Sequence, residues 1–188
     1  AQMYNGTAGI TDNGKPSVQF STSNQTYLRT ATYAVELSQN NASVFTVHNS
    51  SVQSSTDGYI LAEADSSSPY SSNFIYGNFD PPGGQVQTNV LWVNSTIFGT
   101  CVSGQCLSGF DYDGTNFQAY IDGSASGSSG TATVNTEVNS YTYIGSQATD
   151  SSTAFFDGKV QEIITYKSDQ TSNRTGIESN INTYFSIY

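Results

Sequence analysis

The chain has 188 residues and a net charge of −10, and its charged residues make up 11%, where about 25% is usual for a soluble domain. Its cations are too few and too scattered to neutralise a row of phosphates or to form a basic membrane-docking face. No apolar run approaches the length of a membrane span. We therefore expect no nucleic-acid partner and no membrane insertion.

The aromatic content favours strands over helices. The chain contains 13 Tyr, 10 Phe and one Trp, and such residues bury large areas and pack well on pleated surfaces. The composition predicts an all-β protein, and the length predicts a single domain over residues 1–188.

Short alternating runs separated by Gly, Asn, Asp or Ser predict strands throughout the first half of the chain. These runs cover residues 17–20, 26–28, 32–37, 43–47, 59–64, 72–76 and 87–93. The break Pro81-Pro82-Gly83-Gly84 is followed at once by further strand pattern. We therefore interpret it as a loop and not as a domain boundary.

The second half continues in the same way, with strands predicted over 106–112, 117–121, 132–138, 141–144 and 155–166. The last of these is interrupted at Asp157-Gly158. Asp113-Gly114 and Asp122-Gly123 lie where tight hairpin turns favour residues that tolerate positive φ. The Gly/Ser-rich stretch 124–130 predicts a mobile hairpin tip.

The hydrophobic period changes only near the end. Ile177, Ile181 and Phe185 recur every four residues, and Thr171 or Ser172 is available as an N-cap. This pattern predicts a short helix over about 172–185 with one apolar face. The whole pattern predicts a two-sheet antiparallel β-sandwich with a short C-terminal helix.

The two cysteines, Cys101 and Cys106, enclose Val-Ser-Gly-Gln. A zinc site needs four ligands, and His48 is the sole histidine available. We predict a Cys101–Cys106 disulfide that closes a hairpin, and hence an oxidising, extracellular setting. A pair of free, half-buried thiols is the alternative.

Several segments resemble one known family. The segment 112–123, YDGTNFQAYIDG, and the later 143–145, YIG, resemble a hairpin and the following strand of laminin G-like, concanavalin A-like domains. Residues 155–166 resemble a later strand of that family, and 174–188 resemble its closing helix. Residues 18–20 and 27–28 resemble the opening strand more loosely, whereas 38–106 carry no resemblance.

The resemblance implies a jelly-roll fold and an extracellular module that binds carbohydrate or protein, often within a larger surface protein. A non-catalytic glycan-binding or adhesion domain is our leading hypothesis, with a glycan or a surface protein as partner. The alternative is a structural module of a virion, tail fibre or surface filament, in which self-association dominates. Both place the protein outside the cell, on a cell surface or in a virion.

Catalysis is the least favoured function. Retaining glycosidases need two carboxylates about 5–5.5 Å apart, and the nearest approach is Glu63-Ala64-Asp65, after which three serines stand in place of a second glutamate. His48 ends a predicted strand without a surrounding motif, so we interpret it as structural. A lyase that uses His48 as its base is the minor alternative, and we assign no catalytic residue.

Calcium is the one cofactor that the resemblance suggests, because members of the family often bind it through loop carboxylates and backbone carbonyls. No Asp-rich loop of defined spacing occurs in the chain. The candidate ligands are Asp57, Asp65, Asp111 and Asp157, and a solvated turn is the alternative for each.

Sugar sites commonly combine an aromatic face with neighbouring side chains that bind hydroxyl groups. Aromatic residues and nearby amides and carboxylates in or beside the predicted loops are therefore the candidate ligand-binding residues. They are Tyr59, Tyr70, Tyr76, Asn78, Asp80 and Trp92. For Trp92 the alternative is a place in the core, and for the tyrosines it is a packed ring with a surface hydroxyl.

Overall fold

The computed structural model describes residues 1–3, 6–31, 41–50, 58–64, 72–79, 85–90, 94–100, 104–131, 141–146 and 155–188. Within these ranges it contains fourteen strands and one helix. The strands are β1 (Thr11–Asp12), β2 (Lys15–Pro16), β3 (Val18–Phe20), β4 (Leu28–Arg29), β5 (Ala42–Ser50), β6 (Gly58–Ala64), β7 (Ser72–Phe79), β8 (Gln85–Val90), β9 (Asn94–Thr100), β10 (Cys106–Tyr112), β11 (Asn116–Ile121), β12 (Ser124–Thr131), β13 (Tyr141–Ile144) and β14 (Gly158–Tyr166). The helix is α1 (Arg174–Phe185).

Two six-stranded antiparallel sheets form the body of the molecule. The first sheet has the order β12-β11-β10-β5-β14-β3, and the second has the order β4-β13-β6-β7-β8-β9. Strands β1 and β2 form a separate hairpin. The predicted two-sheet antiparallel jelly-roll β-sandwich with a short C-terminal helix is confirmed.

Alternation along β5 divides the apolar residues between two clusters, because successive strand residues point to opposite faces of a sheet. Val44 joins the core between the sheets, where it packs with Ile60 and Phe110. Phe45 and Val47 belong to a second cluster that includes Ile181 and Phe185 of the helix. The helix therefore covers the outer face of the first sheet.

The end of α1 agrees with the prediction, but its start does not. The N-cap is Asn173, so the assignment of Thr171 or Ser172 to that position is wrong. Thr171 instead donates from its hydroxyl and its backbone N–H to Asp169 Oδ1, at 2.6 and 3.0 Å. These bonds hold Thr171 in a turn before the helix. In the described residues, no helix combines the length and hydrophobicity that a membrane span requires.

The stretch 124–130 lies in β12 and pairs with β11, so its prediction as a mobile tip is wrong. The hairpin tip is Asp122-Gly123, whose φ angles of 47° and 78° fit the turn expected there. The small residues let this strand approach its neighbour closely. A Cβ on Gly130 would lie 3.1 Å from the Phe117 ring.

Two structural features were absent from the sequence prediction. Strand β9 was not predicted. Neither was the β1–β2 hairpin, although its turn Asn13-Gly14, with φ angles of 45° and 71°, carries a strong hairpin signal. The predicted strands 32–37 and 132–138 and the predicted loop 81–84 lie outside the described residues.

Gly145 offers a direct test of the packing between the sheets. It has a φ of +85°, and a Cβ there would lie 2.2 Å from Cδ1 of the buried Phe20. We expect Gly145→Ala to lower the free energy of unfolding by about 2–4 kcal/mol, because backbone strain and overpacking add. Urea denaturation measures this change.

The matched control is Gly104→Ala, since Gly104 has a φ of +89° but no atom of a described residue lies within 4 Å of the added Cβ. Only backbone strain acts there, so we expect a loss of about 1–2 kcal/mol. Equal losses for the two variants would contradict the packing argument.

Candidate functional site

The predicted sugar-binding residues fall into three groups. Tyr59, in β6, is buried and exposes 6% of its surface, so its ring offers little area for stacking on a sugar. Only the backbone of Tyr76 and Asn78 is described, in β7. Tyr70, Asp80 and Trp92 lie outside the described residues. The roles assigned to these last five residues stay predictions.

The predicted calcium ligands are similarly divided. Asp57 and Asp65 lie outside the described residues, Asp111 is buried in β10, and Asp157 is half-buried just before β14. In the part of the chain that the structure describes, no group of three His, Cys, Asp or Glu side chains could hold a metal ion. Calcium binding stays a prediction.

Cys106 is buried at the first position of β10. No cysteine among the described residues is free. Cys101 lies outside those residues, so the Cys101–Cys106 pairing stays a prediction.

Two residues that were considered for catalysis, His48 and Glu63, are buried. His48 is fully buried in β5, and its Nε2 lies 2.9 Å from the Ser108 hydroxyl, which in turn lies 2.9 Å from the Thr46 hydroxyl. Burial lowers the pKa of His48 to about 4. Glu63, in β6, also has no exposed surface. Neither side chain can contact a polymeric substrate in this arrangement.

The buried imidazole predicts an acid-sensitive fold. Because the pKa of His48 falls from 6.5 to about 4 on folding, its stabilising contribution is present above pH 6.5 and is lost as the pH falls through 4. We expect the native chain to lose about 3 kcal/mol more than His48→Gln between pH 7 and pH 4. Urea denaturation at the two pH values tests this, and parallel losses would contradict it.

A cavity of about 460 Å³ lies between α1 and the turn that joins β11 to β12. We call it the helix cavity. Most of its lining residues carry polar side chains, and Tyr188 adds an aromatic ring. The lining consists of Asp122, Gly123, Ser124, Thr175, Glu178, Ser179, Asn182 and Tyr188.

Asn182 folds the residues after the helix back over this cavity. Its Oδ1 accepts the backbone N–H groups of Ile187 and Tyr188, at 2.8 and 3.0 Å. Its Nδ2 donates to the Tyr188 carbonyl at 2.7 Å. The Tyr188 ring consequently packs on Gly123, where its hydroxyl would be 2.7 Å from an added Cβ. Gly123 thus makes room for the aromatic wall.

Asp122 holds the β11–β12 turn, which forms the side of the helix cavity that faces α1. Its Oδ1 accepts the backbone N–H of Leu107 at 2.9 Å, and its own N–H donates to the Leu107 carbonyl at 2.8 Å. These two bonds attach the hairpin turn to β10. Burial raises the pKa of the Asp122 carboxyl.

An ion pair between the partly buried Arg174 and the buried Glu178 lies at the bottom of the helix cavity. The Arg174 guanidinium bonds to Glu178 one helical turn away, donates to the Gly123 carbonyl at 3.2 Å, and lies 4.0 Å from the centre of the Tyr120 ring. Glu178 is 3% exposed. Burial raises the pKa of Glu178, and the Arg174 charge opposes that rise.

Asp111 adds a second buried carboxylate beneath the helix. It is 2% exposed, and neither of its oxygens makes a hydrogen bond of normal geometry with a described residue. Burial raises its pKa, while the Ser43 hydroxyl on the neighbouring strand opposes the rise. Asp111 is therefore buried on the outer face of the first sheet, beside Ser43, whose hydroxyl accepts the backbone N–H of Gln170 just before the helix.

This raised pKa predicts that Asp111 stabilises the fold only in acid. The favourable contribution is present below its ordinary pKa of 3.8 and is lost as the pH rises through the folded-state pKa. We expect Asp111→Asn to raise the thermal unfolding midpoint at pH 7 and to have no such effect at pH 3. Differential scanning calorimetry at both pH values measures the change.

The control is Asp113→Asn, two residues away, for which the sign is reversed. Hydrogen bonds from the side chain and backbone of Asn116 and the backbone of Thr115 lower the pKa of Asp113. Its stabilising effect is therefore present above pH 3.8 and is lost in acid. If the two variants shift the midpoint in the same direction at pH 7, the assignment is wrong.

The sequence analysis missed the helix cavity, although it located the Asp122-Gly123 turn. A usable signal was present, because Thr175, Ser179 and Asn182 follow the i, i+4, i+7 spacing of one helix face. That face is polar and lies beside the apolar face on which the helix was recognised. The hairpin turn and Tyr188 meet it only through tertiary structure.

No family model and no curated protein sequence matches the chain. Solved structures do resemble it. Domain 4 of the extracellular arabinanase AbnA from Geobacillus stearothermophilus, in complex with arabinotriose, has a TM-score of 0.65 at 18% identity, covering 93% of this chain and 82% of that one. The heptameric SAP-like pentraxin of Limulus polyphemus has a TM-score of 0.61 at 14% identity, covering 89% and 78%.

A third similar structure is the CBM40 domain of the Ruminococcus gnavus IT-sialidase, bound to α2,3 sialyllactose. Its TM-score is 0.58 at 9% identity, covering 80% of this chain and 97% of that one. At such identities the similarity shows the fold alone. That fold is an antiparallel β-sandwich.

Proposed function

We propose that this protein is a non-catalytic carbohydrate-binding module of an extracellular protein, and that the helix cavity binds one sugar residue of its glycan. The lining of the cavity carries the proposal. Carboxylate, amide and hydroxyl groups surround the space, and the Tyr188 ring forms one wall. A volume of about 460 Å³ lies within the range usual for small-molecule sites.

The chemistry of the lining suits a ligand rich in hydroxyl groups. Asp122 supplies a carboxylate acceptor, the Asn182 amide keeps one N–H donor, and Ser124, Thr175 and Ser179 supply hydroxyl groups. An aromatic ring can pack against the apolar face of a pyranose. Solved structures of similar fold include one in complex with arabinotriose and one bound to sialyllactose, which supports the same ligand class.

Binding without turnover fits the two carboxylates better than hydrolysis does. Glu178 is paired with Arg174, and Asp122 already accepts a backbone N–H from Leu107. Both groups therefore hold the helix and the turn in place. The remaining candidates for acid–base work, His48 and Glu63, are buried.

The test uses a glycan array with and without millimolar calcium, followed by titration calorimetry on the best glycan. We expect Tyr188→Ala to weaken binding by about tenfold, because the ring contributes both contact area and aromatic packing. Tyr184→Ala is the matched control. Tyr184 is 55% exposed, like Tyr188, but it lies under Lys15 and outside the cavity.

Three results would count against the proposal. Equal losses for the two tyrosine variants would move the site elsewhere. Release of reducing ends from a glycan, abolished by Asp122→Asn, would make the protein an enzyme. The absence of glycan binding together with self-association in light scattering would favour the structural module of a virion, fibre or filament.

A further inference from the structure

A second group of polar and aromatic side chains lies on the other sheet, at strand β4. Arg29 is paired with Tyr143 of β13 in the antiparallel register. Its guanidinium carbon lies 4.6 Å from the centre of the Tyr141 ring and 6.0 Å from that of Tyr143. The Tyr27 ring lies 6.2 Å from the Tyr143 ring. We call these four residues the Arg29 cluster.

The three tyrosines of the Arg29 cluster pack with the buried Ala62 and Ala64 in a cluster separate from the core between the sheets. Ile144 of β13 packs against the core between the sheets, so its neighbour Tyr143 points to the outer face of the second sheet. The helix covers the outer face of the first sheet. The two groups of side chains therefore lie on opposite sides of the sandwich.

The charge of Arg29 is exposed, and no carboxylate in the part of the chain that the structure describes forms an ion pair with it. The chain has 15 acidic residues and only 5 cations, so most cations are expected to be paired. Lys159 lies 3.9 Å from Asp12, and Arg174 is paired with Glu178. Among the described residues Arg29 forms no ion pair, and its guanidinium instead stacks on Tyr141.

This stacked arrangement prepares the guanidinium for an external anion. A guanidinium that lies over a ring presents the N–H donors at its edge, in a fork that matches a carboxylate. The buried Tyr143 hydroxyl has no hydrogen-bond partner of normal geometry among the described residues, and its interaction with Arg29 raises the pKa of the guanidinium. The charge of Arg29 therefore persists at any physiological pH.

We propose that Arg29 binds the carboxylate of an acidic sugar residue of the uronic acid class. Tyr27 and Tyr141, both half-buried, contact the sugar ring, and Tyr143 is a positioning residue that holds the guanidinium. This inference rests on the proposed glycan-binding function but assigns a separate site with its own ligand chemistry. The helix cavity selects hydroxyl groups, whereas the Arg29 cluster selects a negative charge on a ring.

The test is an NMR titration of the full chain with D-glucuronate, D-glucose and acetate. We expect glucuronate to shift the signals of residues 27–30 and 141–144 and to bind at least about tenfold more tightly than either of the others. Added salt weakens this binding, because an exposed charge pair is screened.

Four variants separate charge, geometry and position. Arg29→Gln abolishes the glucuronate shifts, and Arg29→Lys weakens binding because a point charge replaces the planar fork. Lys15→Gln is the matched control, since Lys15 also lies over a tyrosine ring and its loss changes the net charge equally. Tyr143→Phe weakens glucuronate binding and shifts the Arg29 Nε–H signal, because it removes the hydroxyl that interacts with the guanidinium, and an unchanged unfolding midpoint shows that the fold is intact.

Each outcome decides between this inference and the proposed function. Equal binding of acetate, equal binding of glucose, or binding that survives Arg29→Gln overturns the assignment of Arg29. If neutral glycans bind in a Tyr188-dependent way and glucuronate does not bind, only the Arg29 inference fails. If no glycan of either kind binds, both fail. Glucuronate shifts that persist in Tyr188→Ala support two separate sites.

Discussion

Strand β5 is buried on both of its faces, and the rest of the molecule is arranged around this constraint. It pairs with β10 on one side and β14 on the other. Val44 packs in the core between the two sheets, while Phe45 packs against the helix and its neighbours. A central strand with two apolar faces needs two coverings. The second sheet supplies one, and α1 supplies the other.

By packing on the outer face of the first sheet, α1 both stabilises that face and forms one side of the helix cavity. Its apolar residues seal the first sheet, but its polar residues face the β11–β12 turn, where the helix cavity forms. The same docking buries Asp111 and Glu178 beside the single cation Arg174. Burying carboxylates is costly unless they are paired. The pKa values of both carboxyl groups are raised because the packing that buries them disfavours their charged forms.

The two outer faces of the sandwich differ in their chemistry. One face presents hydroxyl, amide and carboxylate groups around Tyr188. The other presents the Arg29 guanidinium, which lies over the Tyr141 ring and forms no ion pair with a described residue. In the interior, by contrast, polar side chains such as His48 and Ser108 form hydrogen bonds with one another.

The fold class and the helix were predictable from the amino-acid sequence, because strand alternation and helical period are local properties that a single segment carries. Residues 106–112 and 117–121 and the end of α1 were predictable for this reason. Tertiary structure alone decided the sites, since Tyr188 meets Gly123 and Arg29 meets Tyr141 across long separations in the chain. It also decided that His48 and Asp111 are buried, because the pattern of a strand does not reveal which face another element will cover.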